Sequence, residues 1–395
     1  MRARTWLHVS FVAFAALGCV ERVEVLSPAP DAGGNASAVS DVALGEGHGC
    51  AVATSLLYCW GNNDYGQLGL GDATLRDRPT LVTGSWRAVA AGAQHTCALD
   101  ELGRVACFGR NDRGQLGTGD RESRSEPAFV ELPSRATLVT SDFSHTCALL
   151  GDATLHCWGK NEEGELGQDD PFPGDQSTDA DALAPIAVPG SWRAVDTGQG
   201  HTCAIRLDGT LYCWGRNTEH ELGESDQIQV RVPIQVGTDA DWLSVDAGQS
   251  HTCGLRQDFF GYCWGRNTGF ETSEGAPLGI PGATEITSPT RIETTGDFTV
   301  LRTDTFHTCA VNHDAAFFCW GRGVEGQLGL GDQAFHDLPM FVGPGYAAVA
   351  VGRFATCAIA RAGGLLCTGK NDQGQLGTGD TADRAAFTPL EVGGP

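Results

Sequence analysis

The residues with the widest chemistry open to them are fifteen cysteines and eleven histidines, and both recur at regular intervals. Fourteen of the cysteines fall into seven close pairs: Cys50 and Cys59, Cys97 and Cys107, Cys147 and Cys157, Cys203 and Cys213, Cys253 and Cys263, Cys309 and Cys319, Cys357 and Cys367. Structural zinc sites use tighter ligand spacings such as C-x2-C, and these pairs do not have them. A disulfide across each hairpin fits the spacing better. A three-residue loop Leu207-Asp208-Gly209, with glycine last as a type I turn plus bulge prefers, sets Cys203 opposite Cys213. Cys50 and Cys59 are one residue closer, and a two-residue loop Thr54-Ser55 again sets them opposite. Facing residues of a non-hydrogen-bonded antiparallel pair lie about 4.5 Å apart at Cα, within disulfide reach.

Six histidines (His48, His95, His145, His201, His251 and His307) stand two residues before the first cysteine of a pair; the seventh copy has Ala355. A ring of imidazoles could hold metal, but one buried hydrogen-bonding histidine per repeat is the simpler reading, and it tolerates an alanine in one copy. The aromatic-glycine pairs after the second cysteine read as packing between repeats rather than as a ligand platform. Asp72, Asp120, Asp332 and Asp380, each ending Gly-x-Gly-Asp or Gly-Leu-Gly-Asp, read as Asx-type turn residues, without the six or more oxygens of a calcium site. No nucleophile elbow, His-Glu-x-x-His or phosphate loop is present, so no catalytic residue, metal or cofactor is assigned. Carboxylate pairs formed only in space stay open as a hydrolase or lyase site at a ring mouth.

The elements that must position these residues follow from the repeat. First cysteines recur seven times with a period near 51 residues, and self-similarity of that length marks a repeat architecture. Each unit offers four short apolar runs: Pro-x-x-hydrophobic (Pro79–Val82), aromatic-x-x-Val ending at glycine (Trp86–Gly92), the run beginning His-Thr-Cys-Ala, and Leu-Tyr-Cys-Trp-Gly. Four strands in a unit of this size make a propeller blade. The fold expected is all-β, a seven-bladed β-propeller of four-stranded blades. The first unit has no Pro-x-x-Val before Val39, while Pro389-Leu390-Glu391-Val392 follows the last. The expectation is therefore that 387–392 joins the sheet containing Val39–Cys59, so that the C-terminal strand closes the ring.

The units resemble the RCC1 (regulator of chromosome condensation) repeat, through Gly92-x-x-His95-Thr96-Cys97-Ala98-Leu99, Asn63-x-x-Gly66-Gln67-Leu68-Gly69 and Asn371-x-x-Gly374-Gln375-Leu376-Gly377-x-Gly379-Asp380, over about 38–393. The resemblance implies a seven-bladed ring and, because relatives include a nuclear exchange factor, a plant photoreceptor and a secreted β-lactamase inhibitor, binding to proteins. Guanine-nucleotide exchange is implied by analogy alone. Departures include Phe108 and Thr368 in place of tryptophan, and the loss of Gly-Gln-Leu-Gly after Asn267.

Arg2 and Arg4 precede an apolar run Leu7–Leu17, the size of a signal-peptide core and too short to span a bilayer comfortably. Ala16-Leu17-Gly18-Cys19 resembles a bacterial lipobox, which implies cleavage after 18, acylation of Cys19, and attachment to the outer membrane, since Val20 follows. Ala16 stands where similar lipoproteins carry leucine, so plain secretion is the alternative. The domains expected are a signal peptide 1–18, a tether 19–37 rich in Pro, Gly and small residues, and a propeller 38–395. Export makes disulfides the natural state of the paired cysteines. A net charge of −23 repels phosphate backbones and argues against nucleic acid.

Two repeats are longer than the rest and insert at the same point, 168–181 with Asp169, Asp170, Phe172 and Asp175, and 268–285 with Phe270 and Glu271. Insertions at one repeat position rise from one face, often the binding face. The function read from these observations is a monomeric binding scaffold in the cell envelope or outside the cell. It meets the membrane only through its anchor and engages a protein or glycan through one face of the ring.

Overall fold

The computed structural model describes residues 38–168, 180–268, 276–294 and 297–393, and among these the regular elements are all strands. Seven four-stranded antiparallel sheets follow one another along the chain. The first is Val39–Leu44, His48–Ala53, Leu56–Gly61 and Arg76–Val82, in that spatial order. The last is Tyr346–Val351, Ala355–Ala360, Leu365–Gly369 and Arg384–Leu390. The innermost strand of every blade touches that of the next, and Tyr346–Val351 touches Val39–Leu44, so the sheets form a closed seven-bladed propeller.

Closure differs in one respect from the sequence expectation. The C-terminal strand does not join the first sheet: Cys367 pairs with Thr388, and Leu365 with Leu390, inside the seventh blade. The Pro-x-x-hydrophobic run is the outermost strand of the unit it follows, as Cys59 with Thr80 shows in the first blade. The first blade therefore lacks nothing, and the ring is sealed by packing one complete blade on another. At that seam Val39, Ala51 and Trp60 pack with Ile359, Leu365, Leu376 and Leu390. Trp60 Nε1 donates to the Gln375 carbonyl at 2.8 Å and Val39 N to the Gly363 carbonyl at 3.0 Å. A strand of the same repeat finds its antiparallel neighbour before a strand more than 300 residues away can, because loop closure costs more entropy as the loop lengthens.

The hairpins carry the cysteines as their spacing requires. Thr54 and Ser55 both have positive φ, 50° and 62°, the form of a two-residue primed turn, and Gly209 at φ 88° ends the three-residue loop. Cys50 faces Cys59 and Cys203 faces Cys213. All seven pairs are joined as disulfides with Cα atoms 4.1 Å apart. Because such close pairs are non-hydrogen-bonded, the third-strand cysteine turns its backbone groups outward to the fourth strand. The residue before its partner then points its own N–H away from the sheet. That residue is Pro79, Pro127, Pro185, Pro233, Pro289 or Pro339, and in the seventh blade Pro389 takes the next outward position. Proline there costs no ladder bond and removes a donor from each exposed edge, which opposes edge-to-edge association.

Candidate functional site

The ends of the strands define two faces. In an antiparallel meander the first-to-second and third-to-fourth links leave from one end. On that loop face lie the Gly-x-x-His turns, the Asn-x-x-Gly-Gln-Leu-Gly loops and both positions of insertion. The opposite face holds the tight hairpins. The insert residues Asp169, Asp170, Phe172, Asp175, Phe270 and Glu271, and the anchor Cys19, lie outside the described residues. Asp181, at the end of the first insert, is buried and receives Arg113 at 2.7 Å and Arg121 at 3.3 Å. Leu278, within the second, is fully buried and takes the place of the missing Gly-Gln-Leu-Gly leucine, with its N–H donating to Asn267 Oδ1.

Each recurring histidine reaches the next blade. His48 Nε2 donates to Thr96 Oγ1 at 2.8 Å, His95 to Thr146 at 2.9 Å, His145 to Thr202 at 2.9 Å, His201 to Thr252 at 2.8 Å and His307 to Thr356 at 2.6 Å. His251 turns instead to Thr303. The threonine hydroxyl spends its own proton on a loop carbonyl, Thr96 on Gln67 and Thr146 on Gln115, so the imidazole must be the donor, in its neutral Nε2–H form. Burial holds off the imidazolium and lowers these histidines, His48 to about 4 and His95, His145, His251 and His307 to about 3. The histidines are joints between blades, as one per repeat suggested. The seventh joint lacks both partners: Ala355 stands for histidine and Gly49 for threonine. A Cβ on Gly49 would lie 2.8 Å from the Trp60 ring.

The tryptophans are the second joint. A break in register brackets the residue after the third-strand cysteine in every blade. Trp60, Trp158, Trp214, Trp264 and Trp320 swing from it into the cleft between blades and are fully buried. Gly61, at φ 97°, ends the bulge, and a Cβ there would sit 2.5 Å from the Gly47 carbonyl. The aspartates of the Gly-x-Gly-Asp turns cap their loops as expected: Asp72 accepts from Thr74 N at 2.9 Å and pairs with Arg76 at 2.7 Å.

The sequence reading missed the wall of the central channel. Asp142, Asp196, Asp246 and Asp304 lie there, and burial raises them all, with repulsion from neighbouring aspartates adding to it at Asp142 and Asp246. Asp246, buried and beside the charge of Asp196, is pushed up to about 8. Burial carries Asp304 to about 6, while Asp142 rises well above the usual range. Asp196 Oδ2 accepts from Ala247 N at 2.8 Å and Asp246 Oδ1 from Thr303 N, both on the neighbouring blade. Asp41 does the same for Val89 N at 3.0 Å. These carboxyls satisfy the unpaired inner edge of the next blade. The signal was available: Asp196 and Asp246 share one repeat position, five residues before the histidine, and Asp142 and Asp304 replace the glycine three residues before it. Asp142 and Asp304 line a cavity of only about 30 Å³, the space of roughly one water. Among the described residues no group of three or more His, Cys, Asp or Glu could hold a metal.

Residues 56–99, 103–149, 208–255 and 314–359 match the Regulator of chromosome condensation (RCC1) repeat, and 86–115, 143–165 and 192–221 match a second form of it. The chain belongs to the RCC1 repeat family. This chain is 28% identical over 336 residues to the Ultraviolet-B receptor UVR8 of Arabidopsis thaliana, covering 83% of this chain and 63% of that protein. It thus spans less than two thirds of that relative. In three dimensions it is similar to yeast RCC1 (Prp20) bound to Kap60, with TM-score 0.76 and 19% identity, covering 99% of this chain and 92% of that one. Human WBSCR16 gives TM-score 0.75 and 19% identity, covering 85% of this chain and 93% of the other. At such identities the likeness is one of fold.

Proposed function

We propose that this RCC1-repeat propeller is an exported binding scaffold, held at the cell envelope through Cys19 or secreted, which engages a protein or glycan with its loop face. The observation that carries the reading is the shared position of the two inserts. Both interrupt the third-to-fourth-strand link, in the third and fifth blades, and both points of insertion lie on the loop face. The seven disulfides support an oxidising compartment. One solved relative, yeast RCC1 (Prp20), is described by its protein partners in two structures, bound to Kap60 in one and for its binding to Gsp1p and histones in the other. That supports protein as the partner class. Guanine-nucleotide exchange has the weaker support, since disulfide-stapled blades suit a compartment that cytosolic GTPases do not enter.

The test uses the purified exported protein as bait against envelope and extracellular fractions, beside one variant lacking 168–181 and one carrying Leu207→Lys on the hairpin face. Capture lost with the first variant and kept with the second is the expected result. Equal capture by all three forms, or loss only with Leu207→Lys, refutes the loop face as the contact surface. Mass spectrometry of the mature N-terminus tests the anchor: an acylated Cys19 is expected, and an unmodified N-terminus beyond it removes the lipid.

A further inference from the structure

Six of the seven repeats place a basic residue directly after the glycine that ends the third strand: Arg110, Lys160, Arg216, Arg266, Arg322 and Lys370. The first repeat has Asn62 instead. On the loop face each of the six has an acidic partner. Arg110 meets Asp112 at 2.6 Å, Lys160 meets Glu165 at 2.9 Å, Arg266 meets Glu219 at 3.6 Å, Arg322 meets Glu325 at 2.6 Å and Lys370 meets Asp372 at 2.9 Å. Arg216 has the fullest set. Its Nε donates to Glu221 at 2.8 Å and its Nη1 to Gln199 Oε1 at 3.4 Å, while Nη2 reaches the Gln249 carbonyl and Ser250 Oγ of the next blade.

The same four repeat positions around Asn62 are Gln67, Glu46, Ala93 and Gln94. All four line one hollow of about 220 Å³ on the loop face, with Asn62 itself in the wall and Asp64 and Asp372 beside it. The hollow is several times the ~30 Å³ share of one water. It exists because a short amide replaces a long cationic side chain. Its charged lining is three carboxylates, Glu46, Asp64 and Asp372, against one cation, Lys370, which pairs with Asp372 at 2.9 Å; Arg353 meets Glu46 from outside the lining, and Asp64 accepts from Asn62 Nδ2 at 2.9 Å. The walls are thus acceptor-rich, in a protein whose net charge is −23.

We infer that this hollow takes an arginine side chain of the bound partner, which supplies from outside the cation that the other repeats supply from within. The inference rests on the loop face being the binding face, and adds to it the chemistry of one contact. Glu46 offers the guanidinium a carboxylate at the position where Arg216 finds Gln199, and the Ala93 carbonyl, which accepts from Glu46 N at 3.2 Å, has a second lone pair to give it.

Acetyl-arginine amide is the probe, with acetyl-citrulline amide as its neutral isostere, followed by amide NMR of the isotope-labelled protein. Saturable shifts at Asn62, Gln94 and their neighbours are expected with the arginine probe, at least tenfold weaker with citrulline. Asn62→Arg refills the hollow from within: it should abolish the probe response, leave the rest of the spectrum in place, and lower capture of the partner in the assay above at least tenfold. An equal response to both probes, a response unchanged in Asn62→Arg, or undiminished capture by that variant overturns the inference. The last result, with 168–181 still required for capture, would leave the loop face standing and remove only the arginine contact.

Discussion

The histidine joints make an acid-sensitive prediction that can be worked through on one residue. His95 is fully buried, its ring donates to Thr146 Oγ1 at 2.9 Å, and it is lowered from 6.5 to about 3. The unfolded chain binds a proton at this histidine below pH 6.5 and the folded chain does not, so its contribution is complete above the unfolded value and is lost as pH falls towards 3. Between pH 7 and pH 4 the loss is about 3 kcal/mol, at 1.36 kcal/mol for each unit between the two values. His95→Ala removes this proton linkage. At pH 7 it should cost about 2–4 kcal/mol through the cavity and the unpartnered threonine. At pH 4 the wild type has already lost about as much, and the two proteins should be of nearly equal stability. Denaturant unfolding with disulfides intact, followed by tryptophan fluorescence at pH 7, 5.5 and 4, measures this. A cost that stays constant from pH 7 to pH 4 would show that His95 takes up its proton equally in both states, and would refute the neutral donor.

Further predictions follow from the same geometry. Asp246 is raised to about 8, so the folded state holds a proton that the unfolded state has lost, and stability falls as pH rises from about 4 to 8. Asp246→Asn should gain on the wild type across that window and run parallel to it above pH 9, as paired unfolding curves will show. Replacing Cys203 and Cys213 together by serine opens a loop with a sequence separation of 10 and should cost about 2.5–3 kcal/mol by chain entropy, read as a shift in denaturation midpoint. Gly49→Thr restores the residue type of the other joints but drives a Cβ to 2.8 Å from Trp60. It should destabilise by about 1–3 kcal/mol through overpacking, with the loss visible in melting temperature and Trp60 burial.

The local elements were legible because each rests on interactions short in sequence. Cysteine spacing marked the hairpin register, and the Thr54-Ser55 loop compensated for the one-residue change at Cys50 and Cys59. The repeat period counted the blades, and one histidine per unit with one alanine exception spoke for a scaffold. The assignment of Pro-x-x-hydrophobic to the following blade failed for a physical reason. Nothing in a single strand says which side of a long loop it will pair on, and the answer depends on the bulge at Trp60 and on Gly61 carrying the chain back along its own sheet.

What the amino-acid order determined by itself is the module: strand alternation, turn type, disulfide pairing and the number of copies, all set within about fifty residues. Only the closed ring decided what happens between modules. Bringing innermost strands side by side left backbone donors facing a narrow bore, and Asp196 and Asp246 acquired their raised values from burial there. The same closure put Asn62 where its siblings are cationic and Gly49 opposite Ala355, since contacts between neighbouring blades depend on how whole sheets stack and not on any one repeat.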